Sequence, residues 1–211
     1  MEQKRERDIV FYLCTKNMES YPPSREQAWR LLLRFNQNES LIKHGLAVEA
    51  VMRHFARIYN EDVEKWGIIG LIHDLDYEKY PEQHCNMTKK ILEDEHWPPD
   101  YIRSVISHGW GICSDVEPVH SMEKVLFTID ELTGLVTASA LVRPSRSILD
   151  MEARSVKKKW NIQHFAAGAN RKIIEKGAAM MGKDLDFIIE ETILGMRKVA
   201  EAIGLKGTAE G

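Results

Sequence analysis

Cysteine is scarce in this chain of 211 residues, and its pattern excludes two classes of protein at once. The three cysteines, Cys14, Cys85 and Cys113, are odd in number and include no C-x-x-C. Neither a disulfide framework nor a thiolate zinc site is expected, and free thiols in a reducing cytoplasm are. Long apolar runs are missing as well. None approaches the roughly 18–20 residues of a membrane span, and no signal-type apolar stretch follows the charged residues 1–8. Strong charge of one sign is also lacking. A net charge of −3 and a pI of about 6.3 argue against a dedicated polyanion binder. Period-two Val/Ile alternation is nearly absent, as are internal repeats and low-complexity stretches. What remains, 44% apolar and 29% charged residues, is the composition of an ordinary globular domain. The expectation is a cytoplasmic protein with no membrane partner and no stable nucleic-acid partner, large enough to bury a sizeable core.

Helical spacing dominates. Residues 3–18 suit a first helix, ended by Tyr21-Pro22-Pro23. Ser24 with Gln27 three positions on forms a capping box for a helix carrying Ala28, Leu31, Leu32 and Phe35. Asn38 caps the next, running to about Tyr59 with a stripe of Leu41, Val48, Val51, Phe55 and Ile58. The gap in that stripe falls at His44, which therefore points inward. Asp62 opens a helix through Trp66, Ile68, Ile69 and Leu71 that ends at His73-Asp74. Pro81 suits the first turn of another, with His84, Met87 and Ile91 on one face. A short helix after Pro98-Pro99 contains Tyr101, Ile102, Val105 and Ile106, and His108-Gly109 closes it. A loop over 110–120 precedes a long helix over 121–142, with Leu126, Ile129 and Leu132 in the core and Asp130 at the stripe's edge. Short helices and turns fill 145–167. Two more helices follow over 168–181 and 184–203, and the Gly-rich end is expected to fray. The predicted organisation is an N-terminal helical extension (1–23), one all-α bundle domain (24–205) and a flexible tail (206–211).

An imidazole beside a carboxylate at a helix end can supply two ligands to one ion, because the backbone turns there. His44, His73, Asp74 and Asp130 would make a four-ligand site with positions left for water. His84 and His108 could hold a second ion, with Asp74 bridging the two. The alternative for these two rings is a hydrogen bond to a ligand carboxylate or to substrate phosphate. Mixed imidazole and carboxylate ligands suit Mn, Fe, Co, Ni or Zn. Such ions lower the pKa of bound water, and two of them stabilise both oxygens of an in-line phosphoryl displacement.

The order His44, His73-Asp74, Asp130 resembles the HD-domain superfamily of metal-dependent phosphohydrolases, and Gly70-Leu-Ile-His-Asp-Leu-Asp76 resembles its central motif. The resemblance extends over about 25–180. Ile129-Asp-Glu-Leu-Thr-Gly134, Leu141-Val-Arg-Pro-Ser145 and Ser155-Val-Lys-Lys-Lys159 look like a subgroup of HD hydrolases without an assigned substrate. The resemblance implies an all-α bundle with a central metal site, one or two divalent ions, and hydrolysis of a small phosphorylated metabolite such as a nucleotide. His84 and His108 fall where binuclear members place second-site histidines. Two departures stand out. Many members follow His-Asp with Ile-Gly-Lys, where this chain has Leu75-Asp76-Tyr77. Some binuclear members carry two adjacent histidines, where this chain has His108-Gly109.

Residues near these motifs complete the reading. Asp76 or Glu78 would act as general acid or orient the attacking water. Residues 143–159 hold six basic and two acidic side chains, suited to phosphate or to solvent alike. Arg143 is the first choice for phosphate, delivered near the site by the helix of Asp130, with Arg146 and Lys157 beside it. Trp110 is the tryptophan placed to line a pocket. His54, His96, His120 and His164 are expected on the surface or in loops. The activity expected is a metal-dependent phosphohydrolase, with Asp74 essential and a homodimer as the assembly it admits. The alternatives are a metal-containing module that senses a nucleotide without turnover, and a helical interaction protein whose histidines are structural.

Overall fold

Most helix starts follow from capping chemistry. In a computed structural model of the chain, which describes residues 22–207, helix α1 (Arg25–Phe35) begins at Ser24. The Gln27 N–H donates to the Ser24 hydroxyl, and the Gln27 side chain accepts from the Ser24 N–H. Asn38 caps α2 (Glu39–Tyr59), and Asp62 accepts two N–H groups at the start of α3 (Val63–Leu71). Then come α4 (Asn86–Asp94), α5 (Pro99–Ile106), α6 (Ser121–Leu141), α7 (Ala153–Trp160), α8 (Arg171–Met181) and α9 (Leu185–Arg197). Among the described residues there are nine α-helices and no strand. No helix among them is long and apolar enough to cross a membrane.

The bundle is built around α2, which packs against α3, α6 and α9, while α6 also meets α8. Two glycines set the closeness of these approaches. A Cβ on Gly70 would lie 2.8 Å from Met52 Cγ, and one on Gly195 would lie 2.9 Å from Val51 Cα. The first draws the end of α3 onto α2, which brings His73 beside His44. Met52, Phe55, Trp66, Leu126, Ile129 and Leu132 fill the space between the helices without exposure.

Several local expectations need correction. α3 stops at Leu71, two residues early, because Ile72 already leaves helical geometry (φ −108°, ψ 9°). His73 and Asp74 therefore sit in a turn rather than on the helix. His84 does not share a face with Met87 and Ile91. It closes a 3-10 turn, Pro81–Gln83, and the left-handed Cys85 (φ 64°) separates it from α4. Ile58 is 42% exposed, outside the core stripe. The chain end is tied down as far as Lys206, which bridges to Ser147 beside a buried Leu205. The proposed first helix, Cys14 and residues 208–211 lie outside the described residues.

Candidate metal centre

Five backbone segments converge on one cavity of about 540 Å³. His44 comes from the second turn of α2 and Asp130 from the middle of α6. His73 and Asp74 come from the turn after α3, His84 from the end of the 3-10 turn, and His108 from a second 3-10 turn, Ser107–Gly109, after α5.

Three of the four histidines have their outer nitrogen held by an acceptor. His73 Nδ1–H donates to the Gly70 carbonyl at 2.9 Å and His108 Nδ1–H to the Val105 carbonyl at 2.6 Å. His84 Nδ1–H donates to Asp76 Oδ1 at 2.7 Å. A carbonyl or carboxylate only accepts, so Nδ1 carries a proton in all three, and in the neutral ring the Nε2 lone pair faces inward. These inward nitrogens crowd together: His44 and His73 Nε2 are 3.2 Å apart, and His84 and His108 Nε2 are 3.1 Å apart. Asp130 Oδ1 lies 3.0 Å from His44 Nε2 and 3.2 Å from His73 Nε2.

Asp74 straddles the two groups. Its Oδ2 lies 3.4 Å from His73 Nε2 and 3.7 Å from His44 Nε2. Its Oδ1 lies 3.4 Å from His108 Nε2 and 3.5 Å from His84 Nε2. Atoms that share one ion at about 2.0–2.2 Å stand roughly 3 Å apart, which is the spacing seen here. Facing lone pairs repel, and a cation between them removes the repulsion. The donor set therefore fits a divalent ion at His44, His73, Asp74 and Asp130. A second fits at His84, His108 and the other oxygen of Asp74. Cys85 also stands within ligand spacing of His84 and His108. The Cys85 sulfur, however, lies 2.8 Å from that of Cys113, and we assign the second set to Asp74 instead.

Charge makes the same demand. Burial works to neutralise Asp74 and Asp130, yet the neighbouring imidazoles hold both well below the usual carboxylate range. Burial likewise opposes charge on His73, but Asp74 and Asp130 hold its imidazolium well above the usual histidine range. The two carboxylates require positive charge between them, from a protonated ring or from a cation.

The remaining candidates lie elsewhere. Asp76 is fully buried behind His84, with its second oxygen accepting the Thr88 N–H at 2.8 Å, so it orients the ring and does not reach the cavity. Glu78 accepts the Gln37 and Asn38 N–H groups. Neither lines the cavity, where a general acid would have to stand. Arg143 lies beyond the end of α6, whose last residue, Leu141, is eleven residues and about 16 Å along the axis from Asp130, and it pairs with Asp150 and Ser155. Lys157 pairs with Asp186, and Arg146 borders a different cavity. Trp110 stacks on Phe127 beneath the Lys176 ammonium rather than lining this cavity. His96, His120 and His164 are exposed, but His54 is half-buried between Glu191 and Lys198.

One cavity residue went unnoticed in the sequence. Glu131 lines the wall beside Asp130, and burial raises its carboxyl, partly relieved by the Asn170 N–H. Its only sequence signal is adjacency to Asp130.

No family model matches the chain. Nor does any curated protein or any solved structure. The donor set has to be read from its own geometry.

Proposed function

We propose that this chain is a metal-dependent phosphohydrolase of the HD type, cleaving a phosphoester of a small metabolite such as a nucleotide. The observation that supports it is Asp74, one carboxylate facing two separate sets of inward nitrogens. Bound divalent ions would supply Lewis acidity and a water acidic enough to ionise near neutrality. A mixed imidazole and carboxylate set suits Mn, Fe, Co, Ni or Zn.

The chain's own residues supply orientation and a container. Asp76, Gly70 and Val105 fix three rings in the tautomer that presents a lone pair. Leu41, Tyr77, Ile112, Ala138 and Ala166 offer apolar walls to the body of the substrate, in a volume within the range of small-molecule sites. No lysine or arginine stands among the described lining residues. Phosphate charge would be met by ions rather than side chains, which favours a monoester over a polyphosphate.

The test is hydrolysis of a panel of phosphomonoesters and nucleotides with Mn, Ni, Co, Fe and Mg. Turnover by the wild-type chain and its loss in Asp74→Ala, with helical content unchanged, is the expected result. Undiminished hydrolysis in Asp74→Ala rejects the assignment. The lack of any basic lining residue favours a second reading, a metal-containing module that holds its ligand without turnover. Tight nucleotide binding with no hydrolysis under any of these ions would select it.

A further inference from the structure

The proposed hydrolysis uses neither Cys85 nor Cys113, yet the fold brings them together. Cys85 holds a left-handed backbone conformation (φ 64°), which residues bearing a Cβ seldom adopt. Cys113 lies on the loop after the second 3-10 turn, its N–H donating to the Gly109 carbonyl at 3.0 Å. Their sulfurs are 2.8 Å apart. Gly109 is what makes this meeting possible. A Cβ there would stand 2.3 Å from the Cys113 sulfur and 2.4 Å from that of Cys85. The glycine that departs from the paired-histidine pattern thus leaves room for the thiol pair. Access is unequal. Cys85 is 2% exposed and borders only a neighbouring cavity of about 470 Å³, whereas Cys113, less buried, lines both that cavity and the metal-centre cavity.

We propose that Cys85 and Cys113 form an oxidisable dithiol site whose co-reactant is a small hydroperoxide. Cys113, the accessible sulfur, attacks the terminal peroxide oxygen. The O–O bond breaks, and the remainder leaves as an alcohol, or as water from hydrogen peroxide, carrying the thiol proton. Cys85 then attacks the sulfenic sulfur of Cys113, the S–O bond breaks, and water leaves with the second proton. Two thiols and one hydroperoxide become one disulfide, one alcohol and one water. A disulfide has its sulfurs about 2.05 Å apart, so the pair has only about 0.8 Å to close. The bond would join the two segments that carry His84 and His108, residues 84–85 and 108–113. The site does not depend on the metal reading, because its chemistry needs only the two sulfurs.

The experiment uses the full chain carrying Cys14→Ser, reduced, with chelator present, and treated with hydrogen peroxide before alkylation. Intact mass and peptide mapping should show the loss of two hydrogens and a peptide joining Cys85 to Cys113, at protein concentrations that give no intermolecular dimer. In the further variant Cys85→Ser, oxidation should stop at a sulfenic acid on Cys113, trapped by dimedone. Both thiols remaining alkylatable, or Cys113 overoxidising without a crosslink in the Cys14→Ser chain, overturns the proposal. So does a sulfenic acid that forms on Cys85. Should Cys85→Ser not fold, the crosslink in the Cys14→Ser chain decides alone. Metal content of untreated protein, measured separately, reports on the ion sites whatever the crosslink does.

Discussion

Asp76→Asn tests whether the two halves of the metal centre are built independently. Asp76 accepts two hydrogen bonds with no exposure to solvent, from His84 Nδ1–H at 2.7 Å and from the Thr88 N–H at 2.8 Å. An asparagine has the same shape but only one acceptor oxygen. Its amide group must face one of the two donors, and that pair becomes donor against donor. If the amide keeps the Thr88 bond, His84 can restore its own only by moving its proton to Nε2, the nitrogen proposed to bind an ion. Losing such an orienting partner typically weakens metal affinity about 10–100-fold, or about 1.4–2.7 kcal/mol. That loss should fall on the ion held by His84 and His108 alone. His44, His73 and Asp130 have no contact with Asp76 among their hydrogen bonds and should keep their ion at wild-type affinity. Equilibrium dialysis with elemental analysis, across a range of free Mn, resolves two affinities if both ions bind. Equal weakening of both, or no weakening of either in a folded variant, refutes the assignment of Asp76 as the residue that positions His84.

Asp130→Asn should produce the reciprocal pattern, weakening the ion at His44 and His73 and sparing the other. A divalent ion at a hundred times its dissociation constant should stabilise the fold by about 2.7 kcal/mol per site. Thermal unfolding with and without chelator reads this, and no shift under any ion would favour structural histidines. Gly70→Ala should cost about 1–3 kcal/mol through overpacking, since the added carbon meets Met52 Cγ at 2.8 Å and the Val48 carbonyl at 3.1 Å. Denaturant titration measures that cost, and an unchanged midpoint would show that α2 and α3 can separate freely. Arg143→Ala should leave kcat and KM unchanged because its partners are Asp150 and Ser155. A raised KM would restore its phosphate-binding role.

The parts of the fold legible in the sequence are those whose causes are local. The capping box at Ser24 and the caps at Asn38 and Asp62 depend on a side chain reaching two or three residues ahead. The inward position of His44 follows from the period of α2. The errors come from quantities that sequence spacing does not carry. A left-handed residue at Cys85 moved His84 off its expected helix face, and cysteine gives no warning of positive φ. Arg143 was placed near the site because it follows the helix of Asp130, but three turns of helix carry that end well away from the site, and its pairing with Asp150 is not written in the spacing. Asp76 was read as catalytic because it follows the His-Asp pair, yet the turn after α3 rotates its carboxylate behind His84. Sequence reading brought six candidate ligands to notice and divided them about Asp74; the crossing of α2, α3 and α6 supplies the distances at which the two groups face it.

The two groups rest on foundations of different stiffness. His44, in the second turn, and Asp130, near the midpoint, project from two 21-residue helices in the middle of the bundle, where moving either means shifting a whole rod against its neighbours. His84 and His108 are carried by three-residue 3-10 turns, which bend by rotating a few torsions. If two ions bind, the turn-borne half would give way at lower cost when its ion leaves, and Asp74, which faces both halves, would feel the loss of either.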